Sequence, residues 1–393
     1  MFKNRNLAII ALVAVVNALG YGIVIPILYT YSKHYGMSDF ENGLLFSIFS
    51  VCAFFSTPFI GRFSDKYGRR PLLIISIIGT AISFFMQAFA PSAFFLFLAR
   101  ALDGVTAGNI SVAQAVISDT TKPEERAKGF GIIGASFGFG FVVGPAISAF
   151  TVSYSPALPF IIAGVISVIA AVITAIYLPE TNKHIGQIEH KKMFDFRKLW
   201  HALFDPNVGM TLLITLVYFL AFGCSIMYGF QPFAVRVLGL NSSEVSILFV
   251  VFGLVGLLAQ LFIVPRITKM FGLKKTFSTS ILIVAISFLL MFLSRNMWMF
   301  VFASAVLAVS NALVQPLTNT ILSQETDEKS QGTIMGLNAS YMNVGQIFGP
   351  IVGGILASFY IPSIFLAGVV FALICFYLSF KVLRPGIRKE SAF

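Results

Sequence analysis

Long apolar runs alternate along this chain with short segments that contain most of its Lys and Arg residues. A helix needs roughly 20 apolar residues to cross the hydrocarbon core of a bilayer, and each run is about that long. The pattern therefore predicts an all-α membrane protein with twelve transmembrane helices. These predicted spans, numbered 1 to 12 in chain order, lie at residues 7–29, 43–61, 72–90, 93–118, 129–151, 157–178, 208–235, 243–265, 276–294, 297–322, 331–358 and 360–382.

Composition and charge agree with a protein whose main solvent is lipid. Of 393 residues, 57% are hydrophobic and only 11% are charged, which leaves too little polar surface for a soluble protein. The net charge of +11 is spread over alternate connecting segments instead of forming a patch, which disfavours nucleic acid as a partner. The positive-inside rule then places both termini and the long central segment in the cytoplasm. We expect an integral, monomeric protein of the bacterial inner membrane.

Several classes of function are disfavoured by what the sequence lacks. It contains no phosphate-binding G-x-x-x-x-G-K-[ST], no H-E-x-x-H and no nucleophile elbow in a plausible setting, which argues against an ATP-driven pump or a membrane hydrolase. The cysteines Cys52, Cys224 and Cys375 are far apart inside apolar runs and are expected to be packing residues. We therefore predict neither an enzyme nor a metal site, and no cofactor.

The two halves of the chain repeat one another. Shifting Arg62 and Gly68 by 204 residues gives Arg266 and Gly272. A second landmark, in spans 5 and 11, repeats at a shift of 205 and pairs Gly140, Gly144 and Pro145 with Gly345, Gly349 and Pro350. Two independent landmarks with nearly equal offsets indicate a duplicated six-helix unit, the arrangement that transporters use to place a site between repeats. The predicted parts are residues 1–180, a cytoplasmic linker at 181–205, and residues 206–393.

The linker contains apolar residues that recur at helical spacing opposite polar ones. The apolar positions are Phe196, Leu199, Trp200 and Leu203, and the polar positions are Arg197, Lys198 and His201. This pattern predicts a short amphipathic helix on the inner leaflet. A solvated linker with a few apolar residues is the alternative.

The segment between spans 2 and 3 carries the most specific motif. Its glycines permit a tight reversal at the membrane surface, and its basic residues hold it at the anionic inner leaflet. Gly61, Asp65, Lys66, Gly68, Arg69 and Arg70 match the cytoplasmic loop signature G-x-x-x-D-[RK]-x-G-[RK]-[RK] of the major facilitator superfamily. The chain resembles that family, and within it the drug:proton antiporters with twelve spans.

Further residues support the resemblance, namely Arg100, Asp119, Arg126 and the Gly144-Pro145 pair. It implies a major facilitator fold of two pseudo-symmetric six-helix bundles. It also implies a cytoplasmic latch in which Asp65 faces the start of span 11 and Arg69 faces Asp119. The latch residues are Gly61, Asp65, Gly68, Arg69, Arg70, Asp119 and Arg126. The alternative is that these charges only fix the topology.

Span 4 contains the clearly buried charges Arg100 and Asp103. Three residues apart on a helix, they lie on nearly the same face and can pair, which offsets part of the ~2.5–3.5 kcal/mol that each would cost at the bilayer centre. Arg100 matches the arginine that the family places near its proton-coupling site, whereas Asp103 stands where the family more often has glutamine. The pair is either a proton-coupling site or a structural salt bridge. Acids that many relatives carry are replaced here by Asn17, Tyr228 and Asn311.

Uncharged polar residues recur at helical spacing inside several spans. Such stripes cannot face lipid cheaply, so they either line a central cavity or form hydrogen bonds between helices. The predicted cavity residues are Asn17, Tyr21, Tyr218, Tyr228, Gln231, Asn311, Gln315, Asn319, Asn338 and Tyr341. With apolar surroundings they would suit a largely apolar substrate that has few hydrogen-bonding groups.

Small residues every four positions in span 5 predict close helix packing, with Pro145 as a kink. Gly140, Gly144, Pro145, Gly349 and Pro350 are the predicted packing and hinge residues. The family associates Gly-Pro in span 5 with antiport, although this chain has Ser148 and Ala149 where Gly-Gly is usual.

The function that these features favour is secondary active transport. We expect proton-coupled efflux of amphipathic organic compounds, with the proton gradient as the energy source and rocking of residues 1–180 against 206–393 as the motion. One alternative is a carrier of the same fold for a sugar, siderophore or amino acid, in either direction. A non-transporting membrane receptor or scaffold is a third reading, which the intact motif between spans 2 and 3 disfavours.

Overall fold

The computed structural model describes residues 5–121, 123–182, 185–186, 196–327 and 330–383, and within those ranges it is helical, without strands. Eleven helices are long and apolar enough to cross a membrane, and a shorter apolar helix follows them. Each of them overlaps one of the predicted spans, although the ends differ by several residues. In chain order the spans are Arg5–Val24, Asp39–Tyr67, Arg69–Ala88, Ala93–Thr120, Pro123–Thr151, Leu158–Tyr177, Gly209–Arg236, Ser242–Phe271, Leu273–Leu293, Met297–Glu325, Gln331–Phe359 and Ser363–Ser379.

Three spans depart from a continuous α-helix. Span 4 is interrupted at Ala107 and Gly108, between Ala93–Thr106 and Asn109–Thr120. Spans 7 and 8 contain wide π-helical turns at Gly223–Tyr228 and Ala259–Ile263. A π-turn inserts one residue and so rotates everything beyond it relative to an α-helical pattern.

The structure divides into two compact units. Unit 1 contains Met1–Met37, Ile48–Met193 and Asn241–Val250, and unit 2 contains Ser38–Ser47, Phe194–Leu240 and Val251–Phe393. The start of span 2 therefore packs within unit 2, and the start of span 8 packs within unit 1.

In unit 1, span 1 packs against span 5 without intervening side chains. A Cβ on Gly144 would lie 2.8 Å from the Cα of Gly22, and one on Gly140 would lie 2.3 Å from the Cβ of Ala18. The predicted close packing of span 5 therefore has span 1 as its partner. The Ser148 hydroxyl adds a hydrogen bond to the carbonyl of Ile23 at 3.0 Å.

Unit 2 repeats this contact between spans 7 and 11. A Cβ on Gly349 would lie 2.7 Å from the Cα of Gly223, and one on Gly345 would lie 2.7 Å from the Cβ of Phe219. The repeat found in the sequence thus corresponds to the same kind of close helix contact in each unit.

The turn between spans 2 and 3 differs from the sequence expectation. Residues Gly61 to Tyr67 are the last turns of the span 2 helix, because Asp39–Tyr67 is continuous. The reversal is made at Gly68 alone, whose φ is 103°, and span 3 begins at Arg69. Its repeat partner Gly272, with φ 75°, makes the same turn between spans 8 and 9. Positive φ is the conformation that glycine adopts without a Cβ penalty.

The linker helix covers residues Phe196–Ala202. Leu199, Ala202 and Leu203 pack into an apolar cluster of unit 2 with Leu212 and Ile334. Residues 183–184 and 187–195 of the predicted linker lie outside the described ranges.

Candidate functional site in the membrane-spanning helices

The buried charges of span 4 form an ion pair. Arg100 Nη1 donates to Asp103 Oδ2 at 2.9 Å, and the two residues are 6% and 7% exposed. The guanidinium lies over the ring of Phe49, 4.6 Å from its centroid. Phe49 in turn meets the ring of Tyr21 edge to face at 5.1 Å. A cation held between a carboxylate and a ring face retains much of the stabilisation that burial removes.

Gly104 allows Phe49 to lie close to the ion pair. A Cβ on Gly104 would lie 2.3 Å from the carbonyl oxygen of Phe49, so spans 2 and 4 approach to backbone contact there. The Ser56 hydroxyl donates to the Gly104 carbonyl at 3.1 Å in the same contact. Phe49 could not be singled out in the sequence, because it is one of 43 phenylalanines and has no distinguishing pattern.

The pair does not satisfy every donor of Arg100. Its Nε is buried and has no hydrogen-bond partner within the described part of the chain. A buried donor without a partner is unfavourable, so this atom can gain from an acceptor supplied by water or by a bound molecule. The arrangement can therefore hold a proton at Asp103 or an acceptor group at Arg100.

Asn17 is bound to another span. Its Nδ2 donates to Asn109 Oδ1 at 2.7 Å, which links span 1 to the second segment of span 4. Asn109 was not among the predicted residues. The amide pair follows the broken turn of span 4, which no helical spacing in the sequence indicates.

Unit 2 contains a chain of polar contacts between spans 7, 10 and 11. Tyr218 donates to Asn311 Oδ1 at 2.6 Å, and Thr215 donates to Asn338 Oδ1 at 2.8 Å. Asn338 Nδ2 donates onward to Asn319 Oδ1 at 3.1 Å. Hydrogen bonding between helices thus occupies several of the predicted cavity residues.

Gln315 and Asn319 have exposed side chains, and Asn311 is partly exposed. Three polar positions spaced by four residues on span 10 therefore share an accessible face of unit 2. A polar face of this kind is available to a solute with hydrogen-bonding groups.

Three predicted cavity residues are placed elsewhere. Tyr228 and Gln231 have no exposed surface, and the Tyr228 hydroxyl donates to the carbonyl of Asp39 at 2.9 Å. Tyr228 is the last residue of the π-turn of span 7 and Gln231 lies three residues beyond it, so neither side chain has the direction that a regular helix would give it. Tyr341 donates its hydroxyl to the carbonyl of Leu199 and thereby holds the linker helix.

The charged cluster of the predicted latch is centred on Arg69. Its guanidinium contacts Asp65 Oδ1 at 2.6 Å and Asp119 Oδ2 at 3.1 Å, and also donates to Ser64 Oγ at 2.7 Å. The expected Arg69–Asp119 contact is present. Arg126 lies nearby on the same surface and donates to the carbonyl of Ser118 at 3.2 Å.

A carboxylate that the sequence analysis missed completes this cluster. Glu180 accepts from the backbone N–H of Arg69 at 2.9 Å and of Arg70 at 3.1 Å, so it caps the start of span 3. Negative charge at a helix N-terminus satisfies free N–H groups and the helix dipole. The only sign of this cap in the sequence was a single acidic residue just after the predicted span 6.

Unit 2 has its own carboxylate at the corresponding end of span 10. Glu325 accepts from the Thr211 hydroxyl at 2.7 Å and from the backbone N–H of Leu383 at 3.0 Å. It joins the ends of spans 7, 10 and 12. Among the residues that the structure describes, no group of three or more His, Cys, Asp or Glu side chains could hold a metal ion.

Comparison with known proteins gives the same architecture. A family model described as Major Facilitator Superfamily matches residues 10–241 and 211–393. The chain is 27% identical to tetracycline resistance protein class B of Escherichia coli, over 99% of this chain and 100% of that protein. It is 28% identical to multidrug resistance protein 1 of Bacillus subtilis strain 168, over 90% of each chain. It is 26% identical to quinolone resistance protein NorA of Staphylococcus aureus strain COL, over 91% of this chain and 92% of that protein.

Two solved structures share the fold at low sequence identity. The human organic anion transporter MFSD10 superposes with a TM-score of 0.72 at 20% identity, over 95% of this chain and 99% of that one. A variant of the nucleoside transporter NupG superposes with a TM-score of 0.80 at 14% identity, over 97% of this chain and 100% of that one.

Twelve apolar helices with buried charges and polar faces define an integral membrane protein of the transporter class. The chain belongs to the Major Facilitator Superfamily, with its twelve-span fold of two six-helix halves. This confirms the fold and the family that the motif between spans 2 and 3 indicated.

Proposed function

We propose that this protein exports amphipathic organic compounds of the drug type across the bacterial inner membrane in exchange for protons. The observation that carries the proposal is the Arg100–Asp103 pair, an ionisable pair buried within span 4. Ionisable groups inside a membrane are costly, and they mark ion or proton pathways. The names of its relatives, which describe resistance to tetracycline, to quinolones and to several drugs, support the substrate class.

A protonation cycle at Asp103 would couple the two fluxes. The ionised carboxylate neutralises Arg100 at 2.9 Å. Protonation removes that neutralisation and leaves a net positive charge on Arg100 inside the membrane, which disfavours a cationic substrate nearby. Loss of the proton restores the neutral pair, so the proton and a cationic substrate exclude one another.

The polar face of unit 2 would supply the contacts for the substrate. Asn311, Gln315 and Asn319 offer amide donors and acceptors on one side of span 10. A few polar groups on a largely apolar surface suit amphipathic molecules. Both termini in the cytoplasm, a monomeric state and the proton gradient as sole energy source complete the proposal.

The test is transport in everted membrane vesicles with a panel of lipophilic dyes and cations, with and without a proton gradient. We expect gradient-dependent uptake of several dyes into vesicles that contain the protein, and none into vesicles without it. If no dye or cation responds, the metabolite carrier becomes the better proposal.

Asp103→Asn separates coupling from binding. We expect this variant still to bind uncharged dyes but to lose uptake driven by the pH gradient, because an amide cannot exchange the proton. Glu41→Gln, which removes an exposed carboxylate in the first turn of span 2, is the matched control for the loss of one carboxylate. Full gradient-driven transport by Asp103→Asn would show that the pair is only structural.

A further inference from the structure

Unit 1 contains a cavity of about 310 Å³ at the end opposite the Arg69 cluster. Its walls are the short helix Leu28–Lys33 after span 1, the turn between spans 5 and 6, and the start of span 8. Because successive spans alternate in direction, the turn between spans 5 and 6 lies at the other end of the unit from the turn between spans 2 and 3. The volume is at the lower end of the range for small-molecule sites.

One wall of this outer cavity is a fixed aromatic ring. The Tyr31 hydroxyl donates to the carbonyls of Gln87 at 2.8 Å and Ala88 at 3.2 Å. Its ring also packs on Phe160 with centroids 4.9 Å apart. A ring held in place loses no freedom when it stacks on a ligand, and aromatic pairs are favourable beyond the area they bury. Ile27 and Val152 make the same cavity largely apolar.

The cavity also contains a polar atom with unmet hydrogen-bonding capacity. Thr30 lines the cavity, and its Oγ1 is buried and has no hydrogen-bond partner within the described ranges. His34 and Ser153 have exposed side chains and line the cavity as well. A buried hydroxyl without a partner gains when an acceptor or donor arrives. Thr30 and His34 can hold the polar end of a ligand whose rings lie on Tyr31.

A hydrogen bond joins the third wall to the end of span 5. Ser243, near the start of span 8, donates its hydroxyl to the carbonyl of Ala149 at the end of span 5, at 2.6 Å. Asn241 and Ser242, beside Ser243, also line the cavity. The site is therefore built from three separate parts of the chain that pack as one unit.

We propose that the outer cavity is a peripheral binding site for aromatic compounds of one or two fused rings that carry a carboxylate or phenolic oxygen. The ring system stacks on Tyr31 between Ile27 and Val152, and the oxygen accepts from Thr30 and His34. The site is separate from Arg100 and Asp103, and its occupancy can be measured without transport, so it does not rest on the proposed function.

The test is protection of a cysteine from a charged methanethiosulfonate reagent in the purified full-length protein. Cys52, Cys224 and Cys375 are first replaced by Ala, and Ser153→Cys then places one thiol at the cavity mouth. The probe is 2-naphthoate. We expect saturable slowing of the labelling of Ser153→Cys. The matched control is Tyr154→Cys in the same turn, which does not line the cavity and should label at an unchanged rate.

Two further variants test the chemistry of recognition. In the Ser153→Cys background, Thr30→Val and His34→Ala should each raise the half-protecting concentration by about five- to tenfold, as expected for one lost hydrogen bond. Thr30→Val has the same shape as threonine and so preserves the fold. We also expect 2-methylnaphthalene, which lacks the oxygen, to protect less than 2-naphthoate.

The proposal is overturned by unsaturable protection, by equal protection at Tyr154→Cys, or by half-protecting concentrations that do not change in both Thr30→Val and His34→Ala. Val152→Trp fills the cavity and should abolish protection. Should Val152→Trp fail to fold, as judged by gel filtration, the shape-preserving Thr30→Val still decides the question.

Discussion

The carboxylate of Glu180 accepts a hydrogen bond from the backbone N–H of Arg69 at 2.9 Å. Glu180 lies two residues after Leu178, the C-cap residue of span 6. The start of span 3 is thus held by a residue 111 positions away in the chain. A Cβ on Gly68 would lie 2.4 Å from Glu180 Oε2, so the glycine also makes room for the cap. The backbone of the turn and the charged cluster therefore depend on the same carboxylate.

Removing this cap should loosen the turn between spans 2 and 3. We expect Glu180→Ala to lower the free energy of unfolding by roughly 1 kcal/mol, as for the loss of other helix N-caps. Glu180→Gln should have a smaller effect, because its amide oxygen still accepts one hydrogen bond. Thermal unfolding in detergent measures both variants. Equal midpoints for Glu180→Ala and the unchanged protein would contradict a capping role.

The Arg69 cluster should be more important for transport than for stability. Asp65→Asn removes the charge that lies 2.6 Å from Arg69 while preserving the shape of the side chain. We expect expression to stay normal and dye transport to be lost. We expect Arg69→Lys to lose transport as well, because a single ammonium cannot reproduce the separate contacts of a guanidinium with Asp65 and Asp119.

If Asp65→Asn transports at the original rate, the charge of Asp65 serves only to fix the membrane topology. A fall in protein level together with activity would assign it to folding.

The amide pair between spans 1 and 4 gives a test with an internal control. Asn17→Leu or Asn109→Leu alone leaves the other amide buried without its partner, which should cost about 1–3 kcal/mol of stability. The double variant removes both amides and should recover a large part of that loss. Unfolding of the two single variants and the double variant measures the coupling. Additive losses would show that the 2.7 Å contact contributes little.

The glycines of span 5 differ in what a side chain would meet. Gly144→Ala would place a Cβ 2.8 Å from the backbone of Gly22, so we expect a loss of about 1–3 kcal/mol from overpacking. Gly134→Ala in the same helix has nothing within 4 Å and should be neutral or stabilising by up to ~1 kcal/mol, because alanine is the better helix former. Thermal unfolding compares them directly.

Span 11 repeats this comparison with Gly349→Ala as the crowded position and Gly336→Ala as the open one. The same order in both spans would establish that the repeated glycines maintain equivalent helix contacts. Similar effects at Gly144 and Gly134 would argue against close packing of spans 1 and 5.

Sequence patterns predicted the repeated features well because each depends on local chemistry. Gly68 and Gly272 were paired by their offset, and both have the positive φ that makes them necessary. Gly144 and Gly349 were paired in the same way, and both lie against a glycine of the neighbouring span. A residue required by backbone geometry is visible in a single chain.

Partners across helices were not predictable in this way. The sequence indicated polar stripes, but it did not indicate that Asn17 binds Asn109 or that Asn338 binds Thr215 and Asn319. Such pairs depend on the rotation and relative height of two packed helices. The π-turn of span 7 adds a rotation that no periodicity reveals, and Tyr228, its last residue, is buried.

The sequence by itself determined the solvent of the chain, the number and order of its spans, its duplication and its family, because hydrophobicity, charge alternation and glycine positions are local properties. Only the tertiary structure decided that Glu180 caps span 3, that Phe49 lies on Arg100, and that Thr30 faces an outer cavity. Each of these contacts joins residues distant in the chain, and their distances are set by how the helices pack.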